Sequence, residues 1–407
     1  MRHFDLAERR RRLVVRHHLA GPGTTVEQVA GDLVGLHSSD PATVILSLRA
    51  RLDPFAVADL EDALYERRSL LRMLAMRRTM FVVPLDLAAV MDAACTRTLV
   101  AHERQVLVQL LEQGGVTDDP DAWIERVGGE ILAALAAADG PLPASALSKL
   151  VPDLAHQVRI AVGKNYEGTV GMSTRLLFLM SAEGDVVRTR PLGSWLSSQY
   201  RWARTQDWLG ALPHVEPGAA QAELASRWLR TFGPATLNDL AWWTRWTKAQ
   251  VKQALATVGA VEVTADAGAE DDDKAPAWVL AGDLDDTPES DATPGGVEPV
   301  SLLPSLDPTV MGWKQRAWYL GPHGPQLFDR NGNAGPTVWV GGRVVGAWGQ
   351  RDGGEVVTAL VEELDAETAA RVQAAAAGLT AWMGGVRVTP RFNSPLGRQL
   401  AGGTQPG

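Results

Sequence analysis

Apolar residues along the first hundred positions keep a helical period and then change to a run suited to strands. Leu6, Leu13, Val14 and His17 fall on one face of a helix that Gly21-Pro22-Gly23 ends. Thr25 can cap the next helix, where Val26, Val29, Leu33 and Leu36 keep the spacing. A further helix starts at Pro41 and runs through ATVILSLRARL, and Val57–Arg68 is helical again. The stretch LLRMLAMRRTMFVVP then reads as a strand, a tight basic turn and a second strand. Short helices closed by a β-ribbon make a winged helix.

The order recurs. Trp123–Ala138 is helical, Gly140-Pro141-Leu142-Pro143 breaks it, and Ala144–Leu154 is a short helix. STRLLFLMSAEGDVVRTRP reads as a helix leading to a strand pair. A third round begins in AELASRWLRTF, where Gly233-Pro234 separates two helices, Thr236 can cap and Thr247 opens another. Val261–Thr264 and Ala277–Ala281 would be its wing strands, with residues 265–276 as an acidic, mobile loop between them. From Val300 the pattern differs. Val338, Val340, Val344 and Val345 flank Gly341-Gly342, a two-residue hairpin signal. A helix over Asp365–Met383 and a short strand, VRVTP, follow. The prediction is a mainly α fold with β (α+β). Three tandem winged-helix units occupy 1–110, 111–215 and 216–299, and a small β-barrel-like domain occupies 300–407.

Composition changes this picture in two ways. With 45% hydrophobic and 21% charged residues the chain has a globular balance. Its lone cysteine, Cys95, excludes an intramolecular disulfide, fits a reducing cytoplasm and reads as a small buried hydrophobe. No run of eighteen apolar residues predicts a membrane span. The start lacks the apolar region of a secretory signal, and its run Arg9–Arg12 predicts a solvated helix face. A monomeric, cytoplasmic protein is expected. The net charge of −9 argues at first against a nucleic-acid partner. Residues 261–298, however, hold twelve acids and one lysine, a local net of −11 that leaves the other residues at +2. The acidity is concentrated, and basic patches can exist elsewhere. The eight histidines lack ligand spacing and no glycine-rich phosphate loop precedes a helix, so neither metal nor cofactor is expected.

Five stretches, in order, carry a family resemblance: GLHSSDPATVILSLRAR, MLAMRRTMFVVP, FGPATLNDLAWWTRWT, LLPSLDPTVMGWKQR and PTVWVGGRVVGAWGQR. The chain resembles the AlkZ/YcaQ-like winged-helix DNA glycosylases over most of its length. The resemblance implies three winged helices and a small β-barrel-like domain around duplex DNA in a C-shaped channel. It also implies monofunctional excision of N7-alkylated purines. Some members unhook interstrand crosslinks made by natural-product toxins, and several protect the toxin's producer. Where characterised members carry Gln-x-Gln or Gln-x-Asp, this chain has His37-Ser38-Ser39.

The chemistry required is modest, because a cationic alkylpurine is already a good leaving group. A water must be held against C1′ and an oxocarbenium-like sugar stabilised. His37 can accept a proton or hydrogen bond from that water, Ser39 can orient it, and Asp40 can act as base or stabilise positive charge. Asp40 before Pro41 equally suits a helix N-cap, and Ser38 and Ser39 equally suit a turn. For DNA contact, Arg77, Arg78 and Thr79 would sit on the first wing, with Arg49, Arg51 and Arg72 on the same face and Lys314 and Arg316 in GWKQR. Trp242, Trp243 and Trp246 read as core anchors rather than base-stacking platforms.

Overall fold

The computed structural model describes residues 1–161, 163–164, 167–268, 274–284 and 296–402. Helices predominate and the strands form small sheets. The chain divides into two compact units that do not follow chain order. One comprises 1–60, 82–84 and 221–407, the other 61–81 and 85–220.

In the first unit three short helices are set by their caps. Helix α1 (Leu6–Arg16) starts where the Asp5 side chain accepts from the Glu8 amide. Helix α2 (Val26–Asp32) starts at Thr25, and α3 (Pro41–Arg49) at Asp40 with proline in its first turn. The strand His3–Phe4 ahead of α1 pairs in parallel with Val261–Asp266, which pairs antiparallel with Lys274–Val279. These strands run further toward each other than the alternation predicted. Of the expected acidic loop, 269–273 lies outside the described residues. Helices Leu237–Thr244 and Lys248–Thr257 both begin with capping boxes, at Thr236 and Thr247 as predicted. The C-terminal segment is a four-stranded antiparallel sheet in sequence order: Val300–Leu303, Thr337–Val340, Arg343–Gln350 and Val356–Leu360. Its first and last strands do not pair with each other among the described residues. Helix Ala366–Met383 packs beside these two strands. The expected strand VRVTP forms no ladder. The Gln350 side chain takes the place of a partner strand, donating to the Val386 carbonyl (2.9 Å) and accepting from the Val388 amide (2.9 Å).

Apart from the exposed Arg11, the arginine run of α1 is not a solvated face. Arg9 and Arg12 are buried. Arg9 lies over the Trp318 ring, 4.1 Å from its centroid, and donates to the Asp266 and Pro234 carbonyls. Burial pulls its guanidinium down to about 10 although Asp239 and Asp266 oppose the shift. Arg12 pairs with Glu8 and donates to the Asp283 carbonyl, and Arg16 pairs with the Asp283 carboxylate. The run is therefore a rivet between α1 and residues more than two hundred positions away.

Below α1 lies a polar network closed off from solvent. Arg51 and Asp307 form an ion pair at 2.7 Å with both side chains fully buried. Ser47 donates to Asp307, Arg51 donates to Thr309 and to the His17 carbonyl, and Thr43 donates to the Ser305 carbonyl. His17 itself shares a hydrogen bond with Thr309 (2.9 Å), stacks on Trp313 and meets the edge of Phe232. Burial, reinforced by Arg51, lowers His17 to about 3 from 6.5. A histidine neutral in the fold but protonated in the unfolded chain withdraws stability as pH falls from about 6.5 toward 3. Melting temperature should drop over that window, and the drop should be shallower in His17→Gln. Equal slopes in the two proteins would refute this role for His17.

The second unit holds the hairpin Leu70–Ala75 and Thr79–Pro84, whose last three residues pass into the first unit. Helices Arg97–Gln113, Pro120–Ala137 and Met172–Glu183 bury Leu107, Leu111, Val127, Ile131, Leu176 and Leu177 in one core. A three-stranded sheet, in the order Leu142–Pro143, Tyr200–Arg204, Val186–Pro191, accompanies them. Position 110 lies inside the helix Arg97–Gln113, which the pattern did not single out. Cys95 is buried, as its reading required.

Candidate active site

Helix α2 ends on two residues in the left-handed region, Val34 (φ 52°) and Gly35 (φ 98°). The Gly35 amide donates back to the Ala30 carbonyl, so the chain reverses and leaves extended. Along Leu36 to Asp40 burial alternates: Leu36, Ser38 and Asp40 are buried, His37 and Ser39 half-buried. His37 and Ser39 are thus the partly accessible members of this segment, with Nδ1 of His37 itself enclosed.

Asp40 stands apart from them. It is 4% exposed, and one carboxylate oxygen accepts from the Ala42 amide (3.1 Å) as the N-cap of α3. The other accepts from the Arg391 amide (2.8 Å). Both oxygens hold backbone. The carboxylate therefore fastens the segment to α3 and to the C-terminal stretch. Arg391, whose Nη1 donates to the Ser39 carbonyl at 3.4 Å, was not among the residues the sequence singled out. It is 352 positions from Ser39, a separation no local pattern can bridge.

The predicted DNA contacts separate into three kinds. Arg51 and Arg72 are corrections. Arg51 is spent on Asp307, and Arg72 is buried with its guanidinium over the Tyr200 ring. Arg51 cannot meet a phosphate, and Arg72, 7% exposed, only borders a cavity shared with Thr96, Arg97 and Ser181. Arg49 and Arg316 are half-buried and engaged. Arg49 lines a cavity of about 210 Å³ with Leu46, Leu302 and Leu379. Arg316 lies between the rings of Trp242 and Phe328 and donates to the Trp313 carbonyl. Trp243 and Trp246 are buried, as core anchors should be. The remaining four positions stay at the surface. Arg77 and Arg78 form the hairpin turn with φ near 59°, a strained conformation for side-chain-bearing residues. Arg78 is exposed, ion-paired to Glu103 and placed over Phe178. Thr79 is half-buried beside them, and the Lys314 side chain is exposed while its amide donates to Asp239. Among the described residues no cluster of three His, Cys, Asp or Glu could hold a metal, and no helix is long and apolar enough to cross a membrane.

An imidazole and a hydroxyl two positions apart, both partly accessible, suit a hydrolase that positions water. The family described as DNA glycosylase AlkZ-like matches residues 30–382. The structure is similar to that of Streptomyces sahachiroi DNA glycosylase AlkZ, with a TM-score of 0.66 at 17% identity, covering 92% of this chain and 96% of that one. Among curated proteins no sequence matches the chain. At that identity the structural likeness carries the fold. The family match, over most of the chain, carries the class. The chain belongs to the AlkZ-like DNA glycosylases, enzymes that hydrolyse the N-glycosidic bond of DNA.

Proposed function

We propose that the chain releases N-alkylated purines from duplex DNA, with interstrand crosslinks as bulkier substrates of the same reaction, and that His37 and Ser39 hold the attacking water. The observation that supports this most is the burial pattern at Leu36–Asp40, which leaves His37 and Ser39 partly accessible while Asp40 is tied down. The alkylated base leaves as a neutral purine, so the enzyme need not protonate it. Neutral His37 accepts the proton of the water as it adds to C1′. The Ser39 hydroxyl, shorter than a glutamine side chain, orients the water and accepts no proton. Asp40 is a positioning group.

DNA is held by winged-helix units over 1–110, 111–215 and 216–299, working with the β-rich segment 300–407. The hairpin with Arg77, Arg78 and Thr79 is the wing best equipped to meet phosphates, and Lys314 adds a further contact. The protein acts as a monomer in the cytoplasm. The test is incubation with two duplexes, one carrying N7-methylguanine and one a nitrogen-mustard crosslink. Abasic product or unhooked strands are expected. Tight duplex binding with no base release on either substrate would instead make it a non-catalytic DNA-binding protein.

A further inference from the structure

We infer that Arg391 is a binding residue for a DNA backbone phosphodiester, set beside the His37–Asp40 segment. The inference rests on the DNA-binding reading above. Three observations lead to it. The first is placement. The Arg391 amide is held by the Asp40 carboxylate at 2.8 Å, and its guanidinium reaches the Ser39 carbonyl, so the residue is fixed to the Ser39–Asp40 end of the segment. The second is availability. Arg391 is exposed, and its guanidinium has no acidic partner among the described residues. Its one hydrogen bond, at 3.4 Å to a carbonyl, leaves most of its five donors unused. Its neighbours are better occupied: Arg387 meets the Arg351 carbonyl and Asp352, and Arg398 donates to the Asn393 carbonyl at 2.7 Å. The third is local charge. From Gly384 to the end the sequence carries Arg387, Arg391 and Arg398 and no acidic residue, in a chain of net charge −9.

The sign of that charge selects the ligand. A guanidinium this close to the reacting sugar would oppose both a cationic alkylpurine and an oxocarbenium-like sugar. It is compatible with the reaction only if an anion lies between, and the phosphodiester flanking the lesion is that anion. A planar fork of donors also matches phosphate oxygens in geometry. Arg391 would register the backbone so that C1′ of the damaged nucleotide faces His37 and Ser39. Because its amide, not its side chain, is bound by Asp40, any replacement other than proline keeps that anchor.

The experiment is fluorescence anisotropy of the full chain with an undamaged duplex and with one carrying a tetrahydrofuran abasic analogue. It is run from 50 to about 300 mM salt for wild type, Arg391→Ala, Arg391→Gln and Arg391→Lys. Neither duplex requires base release, so the result does not depend on catalysis. Arg391→Ala and Arg391→Gln should weaken binding about fivefold to tenfold near 100 mM salt and reduce the slope of log K against log salt by about one. Arg391→Lys should retain most of the slope, and all four proteins should melt within a few degrees of one another. Wild-type binding with an unchanged slope in Arg391→Ala would overturn the inference and leave the glycosylase reading intact. The same holds for a loss that Arg391→Gln repairs as well as Arg391→Lys, which would mark Arg391 as structural. A wild-type chain that binds neither duplex would overturn the DNA-binding reading itself.

Discussion

Asp307→Ala is expected to lower stability by about 3–5 kcal/mol, because it leaves the Arg51 guanidinium buried without its counter-ion. Burial alone would push the Asp307 carboxyl up; Arg51, the Ser47 hydroxyl and the Thr309 amide together hold it below the usual carboxylate range. The substitution strips these donors of their acceptor and also removes the N-cap of the turn Pro308–Met311. Chemical denaturation should report the loss directly, as a lower midpoint with little change in slope. In a thermal melt it corresponds to a fall of roughly 5–10 °C. The double variant Arg51→Met with Asp307→Leu is the informative control. Removing both charges should recover a large part of the loss, since a buried pair contributes little against apolar groups of similar size. A single variant as stable as wild type would show that the pair is not sealed from water.

His37→Ala should reduce single-turnover base release by about 10²–10⁴-fold, the range associated with a lost general base. Binding of the abasic-analogue duplex should change by less than about threefold, because the imidazole is assigned to the water and not to the backbone. His37→Gln should keep part of the rate, since an amide oxygen still accepts a hydrogen bond from water. Ser39→Ala should cost less than His37→Ala. If His37→Ala turns over at the wild-type rate, the water is held elsewhere and the assignment fails, whatever the activity of the intact protein.

Much of the fold was readable from local rules. The caps at Thr25, Asp40, Thr236 and Thr247 depend on one side chain and the amides two or three positions on, so sequence suffices. The hairpin around Arg77-Arg78 and the turn at Gly341-Gly342 are likewise local. The site was half legible. His37 and Ser39 were located by motif position, and the structure adds that both are partly accessible. Asp40 remained open because a cap and a base have the same sequence signature; the structure adds a distant amide, that of Arg391, as a second backbone partner of its carboxylate. Arg51 and Arg72 show the opposite failure. An arginine on a predicted helix or strand looks like a phosphate contact until its partners, Asp307 and Tyr200, are known to lie 256 and 128 positions away.

The sequence by itself determined most of the helices, the caps, the hairpins and the polar segment, since each is decided by residues within a few positions of one another. Only the tertiary structure decided which charges are free. It turned most of the run Arg9–Arg12 from a solvated face into a rivet and closed Arg51 on Asp307. It also brought Arg391, from the far end of the chain, to the segment that holds His37. Burial and ion pairing depend on contacts between segments hundreds of residues apart, and no local pattern encodes them.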